Sequence, residues 1–256
     1  MTTPPPLLRR LLAELLGSAF LATVVIGSGI AAKQLSPNDV GLELFENAAA
    51  TAAGLYAIIL MFGPVSGGHF NPVVSFVDAS FGGIGRRDAL AYLPAQVSGC
   101  VLGAIAANAM FAKTLISISA HHRASSAHLL AEAIATLGLI LVIFALARTG
   151  RSNATPAAVG AYIGAAYFFT SSTSFANPAI SIGRIFSNTF AGVAPGSVPG
   201  YIVAQAAGGA LAILALRALY PDITSAEAAN VLLPRGATDP AGVDHLAGVT
   251  GDPAPR

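Results

Sequence analysis

Charge is what this sequence has least of. Only 10% of its 256 residues are Asp, Glu, Lys or Arg, against roughly 25% in an average soluble domain, while 54% are hydrophobic. The deficit excludes an ordinary soluble fold. Leu15 to Ala32 runs for 18 residues without a charge and Ala89 to Ala112 for 24, and roughly 20 such residues cross a bilayer. Basic and acidic residues nearly cancel, 13 against 12, and no basic stripe interleaves with aromatics, so nucleic acid is not an expected partner. The single cysteine, Cys100, lies inside an apolar run and allows no disulfide within the chain, which leaves the redox compartment unread. Nucleophile–base pairs, metal-ligand spacings and phosphate loops are also missing, so neither an enzyme nor a cofactor is expected. His121, His122 and His128 lie near the middle of the chain with only Glu132 close by, a poor set for a metal.

Against this apolar background two dipeptides stand out, Asn71-Pro72 followed by Val73 and Asn177-Pro178 followed by Ala179. Asn is a good N-cap and Pro fits the first helical turn, so each starts a helix. A helix start inside a membrane-length apolar stretch is unusual, because non-helical backbone at that depth survives only where protein buries it or water lines it. Two such breaks mark a path across the membrane.

The landmarks repeat. Leu11-Leu12-Ala13-Glu14 returns as Leu129-Leu130-Ala131-Glu132, and Tyr92, Ala95, Gln96, Gly99 and Leu102 return as Tyr201, Ala204, Gln205, Gly208 and Leu211 at a constant offset of 109. The Asn-Pro pairs, offset by 106, fall between those landmarks in both halves. Arg9-Arg10 and the apolar run ending at Ala32 have the outline of a signal peptide, but a segment that recurs later in the chain has no reason to be removed.

Apolar helices are expected near residues 8–31, 48–66, 88–112, 127–147, 155–172 and 198–219. Three spans per half invert the second half relative to the first, and inverted repeats build sites near the bilayer midplane where broken helices meet. The uncharged stretches Asn47 to Val77, 31 residues, and Ser152 to Gly183, 32 residues, each hold one span and half of another. The expected fold is therefore an all-α membrane protein of six spans and two half-helices. Residues 1–120 form the first half, 121–220 the inverted second half and 221–256 a polar tail with a short helix near Ala226 to Leu233. The distribution of Lys and Arg puts both termini in the cytoplasm.

With these motifs in hand, the sequence resembles the major intrinsic protein family of aquaporins and glycerol facilitators. The likeness runs over roughly residues 8–219 and is carried by Ser66-Gly67-Gly68-His69-Phe70-Asn71-Pro72-Val73, by Ser171 to Ala179, and by the Ala-Glu and Ala-Gln helices around them. It implies a passive channel for small neutral solutes in the cell membrane, assembled as a homotetramer, with Gly99, Gly103, Gly208 and Gly209 allowing close helix contacts. The half-helix dipoles at Asn71 and Asn177 would oppose cations while the Asn amides donate to passing oxygens. Carbonyls of Gly67, Gly68, His69, Ser172, Thr173 and Ser174 are expected to form the ladder on which a solute exchanges its hydration shell. His69 reads equally as a pore-lining group and as a tether for its loop. Glu14 and Glu132 are read as carboxylates that accept loop N–H groups rather than as a proton relay.

The chain departs from the family at its filter. Where most members carry an Arg three residues after the second Asn, this sequence has Ile180, and the other filter positions are Thr51, Ser174 and, by counting back 12 residues from Asn177, Ala165. The expectation is a wide, arginine-free filter open to glycerol-like polyols and neutral metalloid hydroxides such as arsenous acid. The form Ser-Thr-Ser-Phe-Ala-Asn-Pro-Ala without the following Arg is similar to that of bacterial members associated with arsenic handling. Arg184, one turn beyond Ile180, reads either as a vestibule charge or as a plain interfacial residue. A secondary transporter with broken midplane helices and a non-conducting structural member of the fold are the competing readings.

Overall fold

A computed structural model describes residues 5–221. The tail beyond, with the helix expected near 226–233, lies outside the described residues. Eight α-helices follow one another: α1 (Leu7–Leu35), α2 (Val40–Ser66), α3 (Pro72–Phe81), α4 (Arg86–Met110), α5 (Ser126–Arg148), α6 (Thr155–Phe169), α7 (Pro178–Gly183) and α8 (Val198–Leu219). No strand occurs among the described residues.

The repeat anticipated from sequence is visible in the packing. In the first half α1 lies along α4, in the second α5 lies along α8, and α2 meets α6 where the halves join. Small residues set how closely those pairs approach. A Cβ at Gly99 would sit 2.3 Å from the Leu15 carbonyl oxygen, and one at Gly208 would sit 2.3 Å from that of Ala133. Gly103 meets the Ala19 carbonyl in the same way, whereas Gly209 faces Val73 of α3.

Among the described residues five helices are long and apolar enough to cross a membrane, and α6 is shorter. Its 15 residues rise about 22 Å against a hydrocarbon core of about 30 Å, and the 3₁₀ turn at Ser152–Ala154 extends it. The second helix begins earlier than the hydropathy indicates. Its first turns carry Glu43 and Glu46, which read as interfacial, yet Glu43 is 1% exposed and lies 3.3 Å from Lys33, while Ser36 donates to Glu46 at 2.9 Å. Asp39 caps the start by accepting from Leu42 N.

Both half-helices start as their chemistry dictates. Asn71 Oδ1 accepts from Val73 N at 2.9 Å, and Asn177 Oδ1 accepts from Ala179 N at 2.9 Å and Ile180 N at 3.3 Å. Pro72 and Pro178 follow at the first helical position, where no N–H is missed. The α3 helix ends at Gly82 in the left-handed conformation, and α7 passes into a 3₁₀ turn at Arg184–Phe186.

Candidate pore

The N-termini of α3 and α7 meet inside the bundle. Asn71 Nδ2 donates to the Ala176 carbonyl at 2.7 Å, and Asn177 Nδ2 donates to the Phe70 carbonyl at 2.8 Å. Each amide nitrogen carries two hydrogens, so the crossed pair uses one and leaves the other for a passing oxygen. Each helix end contributes roughly half an elementary positive charge, and the two point at one another.

A carboxylate holds each loop in place. Glu14 Oε1 accepts from Ser66 Oγ (2.6 Å) and His69 N (3.0 Å), and Oε2 accepts from Phe70 N (2.7 Å) and Gln96 Nε2 (2.8 Å). In the second half Glu132 Oε1 accepts from Phe175 N (2.8 Å), and Oε2 from Ala176 N (2.8 Å) and Gln205 Nε2 (2.6 Å). The glutamines continue the chain, donating to Ser75 and Ser181, whose hydroxyls reach back to the Asn71 and Asn177 carbonyls. Neither Ser75 nor Ser181 was singled out from sequence, and Gln96 and Gln205 entered only as landmarks, although their recurrence at a fixed offset was the available signal. The loops need this support. Phe70, Thr173, Ser174 and Ala176 all have positive φ, between 48° and 60°, at about 1–3 kcal/mol each for residues with a side chain.

Around the crossed asparagines runs a narrow hollow with a volume of about 60 Å³ open to water-sized molecules. Its wall is mainly aliphatic, with stripes from α2 (Thr51, Leu55, Ile59) and α6 (Val159, Ile163, Tyr167). Polar groups come from Thr51, Gly68, His69, Asn71, Tyr167, Ser174, Asn177 and Arg184, and no carboxylate lines it among the described residues. Gly67, Ser172 and Thr173, expected in the carbonyl ladder, do not line it. The His69 imidazole is turned inward, with Nδ1 3.1 Å from Ser75 and Nε2 3.3 Å from Asp78. Both readings of His69 thus have a geometric counterpart, since the residue also lines the hollow.

The filter positions differ from expectation in two ways. Thr51 and Ile180 line the hollow, Thr51 bonding Tyr167 across it at 3.1 Å, but Ala165 lies exposed on the outer face of α6. At 100° per residue Ala165 sits about 200° from both Ile163 and Tyr167, the residues that do face inward. The count back from Asn177 passes through the non-helical segment 170–177, where helical spacing does not hold. Nor is the wall arginine-free. Arg184 is 2% exposed, lines the hollow, stacks on Phe175 with its guanidinium 3.5 Å from the ring centroid, and donates from Nε to the Ala191 carbonyl. Among the mid-chain histidines, His128 donates its amide to the capping Ser125 Oγ of α5 and the His121 carbonyl accepts from Ala194 N; no group of three His, Cys, Asp or Glu side chains is placed to hold a metal among the described residues.

Comparison with known proteins gives the same answer as the geometry. The pattern of the family described as major intrinsic protein matches residues 1–184. The aquaglyceroporin AqpS of Rhizobium meliloti (strain 1021) is 45% identical over 211 residues, 82% of this chain and 90% of that protein. The aquaporin TIP1-1 of Arabidopsis thaliana is 29% identical over 192 residues, 71% of this chain and 76% of its own. The X-ray structure of the aquaglyceroporin from Plasmodium falciparum superposes with a TM-score of 0.66 at 18% identity, covering 84% of this chain and 98% of that one. A doubled half-helix fold, the crossed asparagines and these matches lead to one assignment: the chain is a multi-pass membrane protein belonging to the major intrinsic protein family, whose members are channels and not enzymes.

Proposed function

We propose that the chain is a passive channel for small uncharged solutes, water and glycerol-like polyols first among them. The observation that carries this is the crossed pair Asn71–Ala176 and Asn177–Phe70 at opposed helix N-termini, set in a hollow with no carboxylate in its wall. A solute oxygen gains donors there, while a cation meets positive potential and finds no counter-charge. A coupled transporter would need a titratable or ion-binding group on that wall, and its flux would saturate and follow a proton or sodium gradient.

Neutral metalloid hydroxides such as arsenous acid belong to the same solute class, three hydroxyls on a small core, and Ile180 leaves apolar room beside Thr51 and Tyr167 for them. Selectivity then rests on Thr51, Tyr167, Ser174, Ile180 and Arg184. Arg10, Arg148 and Arg217 gather at one end of the bundle, with Arg10 on Asp88 and both others over Phe81, which is the end assigned to the cytoplasm of the cell. Arg184 then belongs to the outer mouth. The assembly proposed is a homotetramer with one pore per subunit.

Stopped-flow measurements on proteoliposomes test the reading with water, glycerol and arsenous acid, comparing this chain with Ile180→Arg. Permeability to all three that is non-saturating and indifferent to ion gradients is expected, and the added Arg should slow the two larger solutes before water. A protein that passes none of them, or only under a gradient, overturns it.

A further inference from the structure

Two guanidinium groups meet one aromatic ring beside α7. Arg184 and Arg123 lie 3.5 and 6.0 Å from the Phe175 ring centroid, so their charges are no more than about 10 Å apart, close to the Debye length of about 8 Å at physiological salt. Neither forms an ion pair with a carboxylate among the described residues. Neighbouring carbonyls hold both: Phe190 O accepts from Arg123 Nη2 at 3.2 Å, and Ala191 O accepts from Arg184 Nε. Arg123 is anchored twice more, its amide donating to Ser197 Oγ at 3.0 Å and Nη1 lying 3.5 Å from Thr173 Oγ1. The connection between the halves therefore reaches back over the segment that leads into α7.

Such anchoring is not needed to close a loop. Long cationic side chains at a membrane interface ordinarily extend into water or toward lipid headgroups, where they gain hydration. This one folds inward onto an aromatic ring and a backbone carbonyl at the entrance to the hollow. Partial burial pushes its guanidinium below the ordinary arginine pKa, countered by Tyr201, Tyr167 and Glu132.

We propose that Arg123 is a second charge-selecting residue of the pore, acting with Arg184 through Phe175 to raise the barrier to cations at this mouth. Arg123 does not line the hollow, so it acts by field and not by contact with the solute. Ile180 supplies no charge, and Arg184 in the wall with Arg123 set behind it restores the positive potential. The inference rests on the neutral-solute channel proposed above.

Its test measures rubidium tracer uptake and glycerol swelling in the same proteoliposomes, for the full chain and for Arg123→Gln, Arg123→Met and Arg123→Lys. Loss of one partly screened charge about 10 Å or less from Arg184 should raise rubidium entry about fivefold in both neutral variants. Lys should restore exclusion, and glycerol swelling should stay within about twofold. High salt should narrow the gap between the chain and Arg123→Gln. Rubidium entry unchanged in both neutral variants overturns the proposal. So does joint loss of rubidium and glycerol flux in both, which would make Arg123 a structural tether. If the unaltered chain passes no glycerol, the underlying channel reading fails instead, a separate outcome.

Discussion

Asp78 and Arg184 occupy equivalent places in the two halves, each seven residues beyond the pore asparagine, and they carry opposite charges. Each faces the residue two before its own asparagine. Asp78 Oδ2 lies 3.3 Å from His69 Nε2, and the Arg184 guanidinium lies 3.5 Å from the centroid of Phe175. The aromatic behind each is equivalent too: His69 stands against Tyr92 at 5.5 Å and Phe175 against Tyr201 at 5.1 Å. The scaffold is thus symmetric in geometry and polar in electrostatics. Among the described residues only the α7 side presents an Arg, Lys, Asp or Glu to the hollow, which is where charge selection is expected to reside.

Replacing Arg184 by Ala removes that charge and the largest side chain at its level. Glycerol permeability should rise relative to water and rubidium exclusion should weaken, because a donor and a steric block leave together. Swelling and tracer uptake on the same vesicles check it, and unchanged values in both would remove Arg184 from the filter.

The carboxylates are expected to be structural. Glu132→Gln replaces one acceptor oxygen with an NH₂ that faces either the Phe175 amide or the Ala176 amide and Gln205, so charge-assisted bonds are lost and a donor is set against a donor. A cost of about 2–4 kcal/mol and a lower thermal midpoint in detergent are expected. Glu14→Gln should behave alike, since its partners are equivalent. A proton relay predicts the opposite outcome: stability kept and a proton-coupled flux lost.

Asn177→Ala removes the cap of α7 and the donor to Phe70 O in one step. Loss of the cap costs about 1 kcal/mol, and the orphaned carbonyl adds a further 1–3 kcal/mol. Glycerol flux should fall severalfold while the fold survives, as circular dichroism and swelling would report. Asn71→Ala should match it because the bond it breaks, to Ala176 O, is the mate of the first.

How much of this was legible depended on whether a residue's neighbours are local. The order Glu, Asn-Pro, Gln was readable in both halves because the repeat preserves it, and helix starts at Asn71 and Asn177 follow from capping chemistry alone. What Gln96 does was not readable, since its partners Glu14 and Ser75 lie 82 and 21 residues away. Ala165 was misplaced because a fixed count assumes helical spacing through a segment where φ turns positive at three residues, Thr173, Ser174 and Ala176. Arg184 was placed on the right face by the i, i+4 rule, but its depth depends on a loop at Ala191 that no local pattern announces.

Helix contact within the second half gives a final and sharper test. Adding a methyl at Gly208 would put carbon 3.0 Å from Thr136 Cβ and 2.3 Å from the Ala133 carbonyl oxygen, a backbone atom that cannot yield without moving α5 from α8. Gly208→Ala should therefore cost about 1–3 kcal/mol, even though Ala is the better helix former. Because α8 also carries Gln205 to Glu132, the shift should loosen the 175–176 loop and lower glycerol flux together with the thermal midpoint. Gly196→Ala is the control: nothing lies within 4 Å of its Cβ, and the change should stay within about 0.5 kcal/mol. A Gly208→Ala protein as stable and as permeable as its parent would mean that the α5–α8 pair does not set the geometry of the second half-helix.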